Sequence, residues 1–183
     1  MIPGNAKITD FMPDQVNILV YGYGNPGRQD DGLGKALIDL AEEWLSQNQN
    51  DNISLDVNYQ LQVEDVTEIY DKDLIIFVDA SMREDIEDFS FERVEPDPRA
   101  NFSMHSVSPA YILALCEKIY GKLPPAYLLH VRGYEWELSE PISSAAQNNM
   151  QKAWSSLREI LLSPELLLEA ENNSEVFKPN TNN

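Results

Sequence analysis

Cysteine is almost missing from this chain: Cys116 stands alone among 183 residues, so no internal disulfide can form. It lies among Ile112, Leu113, Leu115 and Ile119 in an apolar stripe at helical spacing, where a lone thiol reads as a small buried hydrophobe rather than a nucleophile. Positive charge is scarce as well. The 13 Lys and Arg stand against 31 Asp and Glu, a formal net charge of -18, whereas nucleic-acid binding depends on basic side chains that neutralise phosphates. A nucleic acid is therefore not an expected partner. No run approaches the ~20 apolar residues a membrane span needs, and no basic segment followed by an apolar run opens the chain. These absences predict no membrane partner and a cytoplasmic protein.

What is present is an alternation of strand and helix signals. Residues 1 to 15 are polar and aperiodic and read as a loose leader. The apolar run from Val16 to Tyr21 reads as a first strand, and Leu33, Ala36, Leu37, Leu40 and Trp44 repeat at helical spacing after it. Alternation from Ile53 to Leu61 predicts a second strand, and a short helix is expected around Val63 to Tyr70. The continuous apolar run Leu74 to Val78 suits a central parallel strand buried on both faces. Phe89 to Val94 reads as a strand nearer an edge, Ser108-Pro109 to Gly121 as a capped helix, and Tyr127 to Val131 as the last strand. A final helix carries Met150, Ala153, Trp154, Leu157, Ile160 and Leu161 on one face, and residues 163 to 183 read as an acidic, mostly disordered tail in which Leu166 to Leu168 could pack. The sum is one α/β domain over residues 16 to 162: a doubly wound, mostly parallel sheet of about five strands with helices on both faces.

In such sheets ligands gather at the carboxyl ends of the strands. Three groups are predicted there: the segment Gly22-Tyr23-Gly24-Asn25-Pro26-Gly27-Arg28-Gln29-Asp30-Asp31-Gly32 after strand one, Asp79 at the end of strand three, and His105 in the loop before the third helix. Asp31, Asp79 and His105 together offer two carboxylates and an imidazole, a donor set suited to Zn, Ni, Mn or Fe. Each has a plainer reading. Asp30 or Asp31 can cap the helix that follows, Asp79 can form a turn, and His105 can be a surface loop residue. His130, the other histidine, falls inside a strand and reads as packed.

The succession Gly22-Tyr23-Gly24-Asn25, Asp30-Asp31-Gly32-Leu33-Gly34, Val78-Asp79-Ala80 and His105-Ser106-Val107-Ser108 resembles the motifs of the hydrogenase maturation endopeptidases, over about residues 16 to 162. Gln60-Leu61 and Arg132-Gly133-Tyr134-Glu135-Trp136-Glu137-Leu138 look closest to the branch serving cytoplasmic NAD-linked or related hydrogenases. The resemblance implies an endopeptidase that removes a carboxy-terminal extension from a [NiFe]-hydrogenase large-subunit precursor after nickel insertion. It places the metal contacts at Asp31, Asp79 and His105, and Asp31 and Asp79 are the expected catalytic carboxylates. Gly24, Asn25, Asp30 and Gly32 are expected to contact substrate, and the Gly22 to Gly27 backbone is expected to support the substrate or an oxyanion. Nickel is expected to be recognised in the substrate, with zinc or another divalent ion able to substitute. Asp31 stands where this family usually has Glu, and the leader and tail lie outside its pattern.

Other readings share parts of this pattern. Gly22 to Gly27 matches GxGxxG after a strand, yet Asp30 and Asp31 put negative charge where a dinucleotide's pyrophosphate would rest. Gly24-Asn25-Pro26-Gly27 also looks like the start of peptidyl-tRNA hydrolases, which need a basic face that this chain lacks. A non-catalytic nickel-binding assembly factor would share every ligand and differ only in turnover.

Overall fold

A computed structural model describes residues 16–100 and 107–172. Five strands, β1 (Ile18–Tyr23), β2 (Ile53–Asn58), β3 (Leu74–Ser81), β4 (Phe89–Arg93) and β5 (Ala126–Arg132), form one sheet in the order β2-β1-β3-β5-β4. All neighbours are parallel except β4, which runs antiparallel to β5 at the edge. The helices α1 (Leu33–Gln47), α4 (Ser144–Leu162) and α5 (Pro164–Asn172) cover one face; the one-turn α2 (Val66–Ile69) and α3 (Pro109–Tyr120) cover the other.

The period-2 pattern of the strands divides the core between these faces. Ile18, Val20, Leu74, Ile76 and Val78 pack beneath α1 and α4, while Leu19, Tyr21, Ile75 and Phe77 meet α2 and α3. Trp44 of α1 meets Trp154 of α4 edge to face at 6.1 Å. Ser108 caps α3 by accepting from the Tyr111 amide at 3.2 Å, with Pro109 in the first turn and Gly121 left-handed at the other end. Cys116 is fully buried in α3, as its apolar surroundings predict.

Three boundaries differ from the sequence expectation. Strand β2 stops at Asn58 rather than Leu61, because β1, its only neighbour, ends at Tyr23. Strand β3 runs on past Asp79 to Ser81, because β5 continues to pair with Asp79, Ala80 and Ser81 after β1 has ended; Asp79 is thus within the strand rather than its last residue. The segment after Ser163 is not all tail: α5 forms there, and Leu167, only 2% exposed, packs on the core under α4. Only one of the three consecutive leucines is fully buried, so no helical period is visible in so short a segment.

The order of strands creates a crevice. From β1 the chain crosses over to β2 on one side, whereas from β3 it proceeds to β4 and then β5 on the other. The carboxyl ends of β1 and β3 therefore flank a topological switch point, the place where α/β sheets bind ligands.

Candidate active site

The turn after β1 is built around close backbone approaches. Gly24 has φ +130°, and a Cβ there would lie 2.1 Å from the Asp31 carbonyl oxygen, so the turn folds back on itself only with glycine at this position. A Cβ at Gly32 would lie 3.0 Å from Pro26 Cα. A 3₁₀ turn over Gln29–Gly32 then leads into α1, and neither aspartate caps it: the residues before the turn and before α1, Arg28 and Gly32, make no side-chain cap. The capping alternative for Asp30 and Asp31 is therefore not realised.

The two adjacent aspartates take opposite roles. Asp30 is 0% exposed. Its Oδ2 accepts from the amides of Tyr134 (2.7 Å) and Glu135 (2.9 Å) and from the Ser143 hydroxyl (2.8 Å), and its Oδ1 accepts from the Ser143 amide at 2.7 Å. Burial pushes the Asp30 carboxyl upward, but these donors outweigh it and hold the group below its ordinary value. Asp31 is half-buried at the rim, and its Oδ2 accepts from the Asn25 amide at 3.2 Å.

Asp79 faces the same rim from β3, one position beyond the last β1–β3 pair, Gly22 with Val78. Burial pushes its carboxyl up to about 7; contact with the Tyr23 hydroxyl and a bond from the Ala80 amide pull against this, and the charge of Asp31 adds to it. The Tyr23 hydroxyl is itself pushed well upward by burial and then by Asp79. A desolvated carboxyl beside a second carboxylate is a place where a proton or a cation relieves repulsion. The oxygen donors of Asp31 and Asp79 thus fit a hard or borderline divalent ion. Among the described residues no three His, Cys, Asp or Glu side chains converge as a metal site. His105, the expected imidazole, lies outside the described residues.

The expected substrate contacts are largely redirected. Gly24, Asp30 and Gly32 are buried and hold the turn together; of that group only Asn25 is partly accessible. The oxyanion expectation for the turn also changes, because its amides are already bonded internally. The amide of Gly24 donates to the Asn58 carbonyl, that of Asn25 to Asp31, that of Gly27 to the Asn25 side chain, and that of Arg28 to the Asn25 carbonyl. The same saturation removes the pyrophosphate cradle that GxGxxG would supply.

Sequence reasoning missed Tyr23, which β-strand alternation alone places beside Asp79. It also missed Ser143, for which the sequence carries no signal beyond its place at the start of α4. His130 lies opposite Asp79 in β5, half-buried, with its Nδ1 buried and unpartnered.

No protein-family model matches the chain, and no curated protein matches it. Solved structures do. The [NiFe] hydrogenase maturation protease HycI of Thermococcus kodakarensis is 19% identical with a TM-score of 0.64, the match covering 81% of this chain and 94% of that one. The hydrogenase maturating endopeptidase HybD of E. coli is 20% identical with a TM-score of 0.65, covering 80% and 93%. A hydrogenase 2 maturation peptidase from a Thaumarchaeota archaeon is 24% identical with a TM-score of 0.58, covering 79% and 97%. The chain therefore has the α/β fold that these hydrogenase maturation proteases share.

Proposed function

We propose that this protein is an endopeptidase that removes the carboxy-terminal extension of a [NiFe]-hydrogenase large-subunit precursor after nickel has been inserted. The observation that carries this reading is the pairing of Asp31 and Asp79 at the switch point of a fold shared with hydrogenase maturation proteases. Fold alone does not fix chemistry, so the site has to supply it.

Hydrolysis of a peptide bond needs a water positioned on the carbonyl carbon, a group to take its proton, and a group to return a proton to the departing amide nitrogen. Asp79, whose hold on a proton is strengthened by burial, and Asp31 beside it supply the carboxyl groups for this exchange in our reading. Nickel belongs to the substrate in this scheme. The negative rim reads the loaded ion through Asp31, Asp79 and His105, and so orients the adjoining peptide. An enzyme-bound divalent ion at the same donors would instead polarise the carbonyl and acidify the water.

The test uses purified protein with nickel-loaded and nickel-free precursor. Shortening of the loaded precursor alone, lost in Asp31→Asn and Asp79→Asn, is the expected result. Failure to cut either form, with nickel retained by the protein, would favour the non-catalytic assembly factor.

A further inference from the structure

Gln29 is a buried residue in the left-handed region, with φ 48°. A non-glycine residue stays there only when its surroundings over-determine it, and such strain concentrates at functional sites. Its surroundings come from far along the chain. The Gln29 Nε2 donates to Glu135 Oε2 at 2.6 Å, and its Oε1 accepts from the Glu137 amide at 3.0 Å. On one side of it the Gly27 carbonyl accepts from the Ser139 amide at 2.9 Å; on the other, Asp30 accepts its four bonds and donates its own amide to the Glu135 carbonyl at 3.1 Å. A Cβ at Gly133 would sit 2.9 Å from Asp30 Cβ, so the strap backbone lies directly against the Asp30 side chain. The segment from Gly133 to Ser143 is thus a strap tied across the turn that ends in Asp31.

We propose that this strap is a positioning element for the candidate catalytic carboxylate: through Gln29 and Asp30 it holds the turn in its strained form and so fixes Asp31 on the rim opposite Asp79. This rests on the peptidase reading for its kinetic consequence, though not for its structural one. Gln29, Asp30 and Glu135 are positioning residues, since none needs to touch substrate. Holding a reactive group to a fraction of an ångström is what separates a site that is merely present from one that turns over.

The experiment compares the full chain with Gln29→Gly, Glu135→Ala and the double variant. Glycine accepts the left-handed conformation without a Cβ, so Gln29→Gly loses the ties but also the strain. Glu135→Ala loses one tie and keeps the Gln29 backbone. Expected in each single variant is a thermal midpoint within about 4 °C of wild type. On nickel-loaded precursor, kcat falls by roughly tenfold or more while KM changes less than about threefold. The double variant is little worse than either single one, because both cut the same coupling. Amide exchange at Asn25 and Asp31 quickens in both singles while the sheet amides stay protected. Unchanged exchange at these two amides in Glu135→Ala would overturn the proposal, as would additive losses of kcat. If the wild-type protein cleaves no precursor, the peptidase reading falls alone, and exchange still decides whether the strap positions Asp31.

Discussion

Asp30 and Asp79 both lose water on folding, yet their acidities move in opposite directions, and the difference lies in their neighbours. Asp30 is met by three amides and a hydroxyl, all donors; Asp79 meets one hydroxyl, the Ala80 amide and a second negative charge. The first arrangement commits a carboxylate to structure, whereas the second makes one a candidate for chemistry. The sequence brought Asp31 and Asp79 to one rim because both follow from strand positions. It could not say which of two adjacent aspartates would be buried, because the donors to Asp30 lie more than a hundred residues away in Tyr134, Glu135 and Ser143. The lowered acidity of Asp79 has a consequence for stability. Unfolded, this carboxyl releases its proton near the ordinary value of ~4, and folded it does so near 7. Between those values the unfolded chain has lost a proton that the folded one keeps, so Asp79 lowers stability as pH rises through the window, with no further change above it. Asp79→Asn removes this titration. The variant is expected to gain about 1–3 kcal/mol on wild type in metal-free buffer between pH ~4.5 and ~8, while precursor cleavage falls by at least roughly 100-fold. Urea unfolding at the two pH values, with a parallel cleavage assay, checks both; a variant that gains nothing at the higher pH would show that folding does not raise the proton affinity of Asp79.

At the scale of elements, the strands and long helices were legible because each buries a whole face, which leaves a period in the sequence. Where partners rather than pattern decide, the reading slipped. The end of β2 depends on β1, the end of β3 depends on β5, and α5 depends on the space beside α4. Helix α5 buries Leu167 and only partly covers Leu168, so its contribution is concentrated in few side chains. Deleting residues 164–183 is expected to destabilise the domain by about 2–4 kcal/mol, the range for exposing a buried leucine and its neighbours. Deleting residues 173–183, where Val176 and Phe177 are the only large apolar side chains, is expected to change stability by less than about 0.5 kcal/mol. Thermal unfolding of the two truncations separates them. Equal losses would move the anchoring role from Leu167 to the last eleven residues.

For the molecule as a whole, the connections that diverge from β1 and β3 place the candidate site, and the chain that carries it is strongly negative. With 31 acidic and 13 basic side chains, most acids have no cation to meet. Several ion pairs lie on exposed side chains, such as Arg83 with Asp85 and Glu92. Pairs of that kind are worth ~0–1 kcal/mol each, and salt weakens them. The repulsion among the excess acids is weakened by the same salt and is spread over the whole surface, so the two effects oppose each other and the larger one sets the sign. A net charge of -18 makes self-repulsion the larger. The thermal midpoint at neutral pH is therefore expected to rise by several degrees as sodium chloride goes from about 0.01 M to about 0.15 M, over which the screening length falls from ~30 Å to ~8 Å. The rise should be greater in magnesium chloride at equal ionic strength if a divalent ion settles between Asp31 and Asp79, and that extra increment should vanish in Asp79→Asn. A midpoint that falls with added sodium chloride would mean that the local pairs around Arg83 outweigh the global excess, and that the acidic surface is arranged rather than merely abundant.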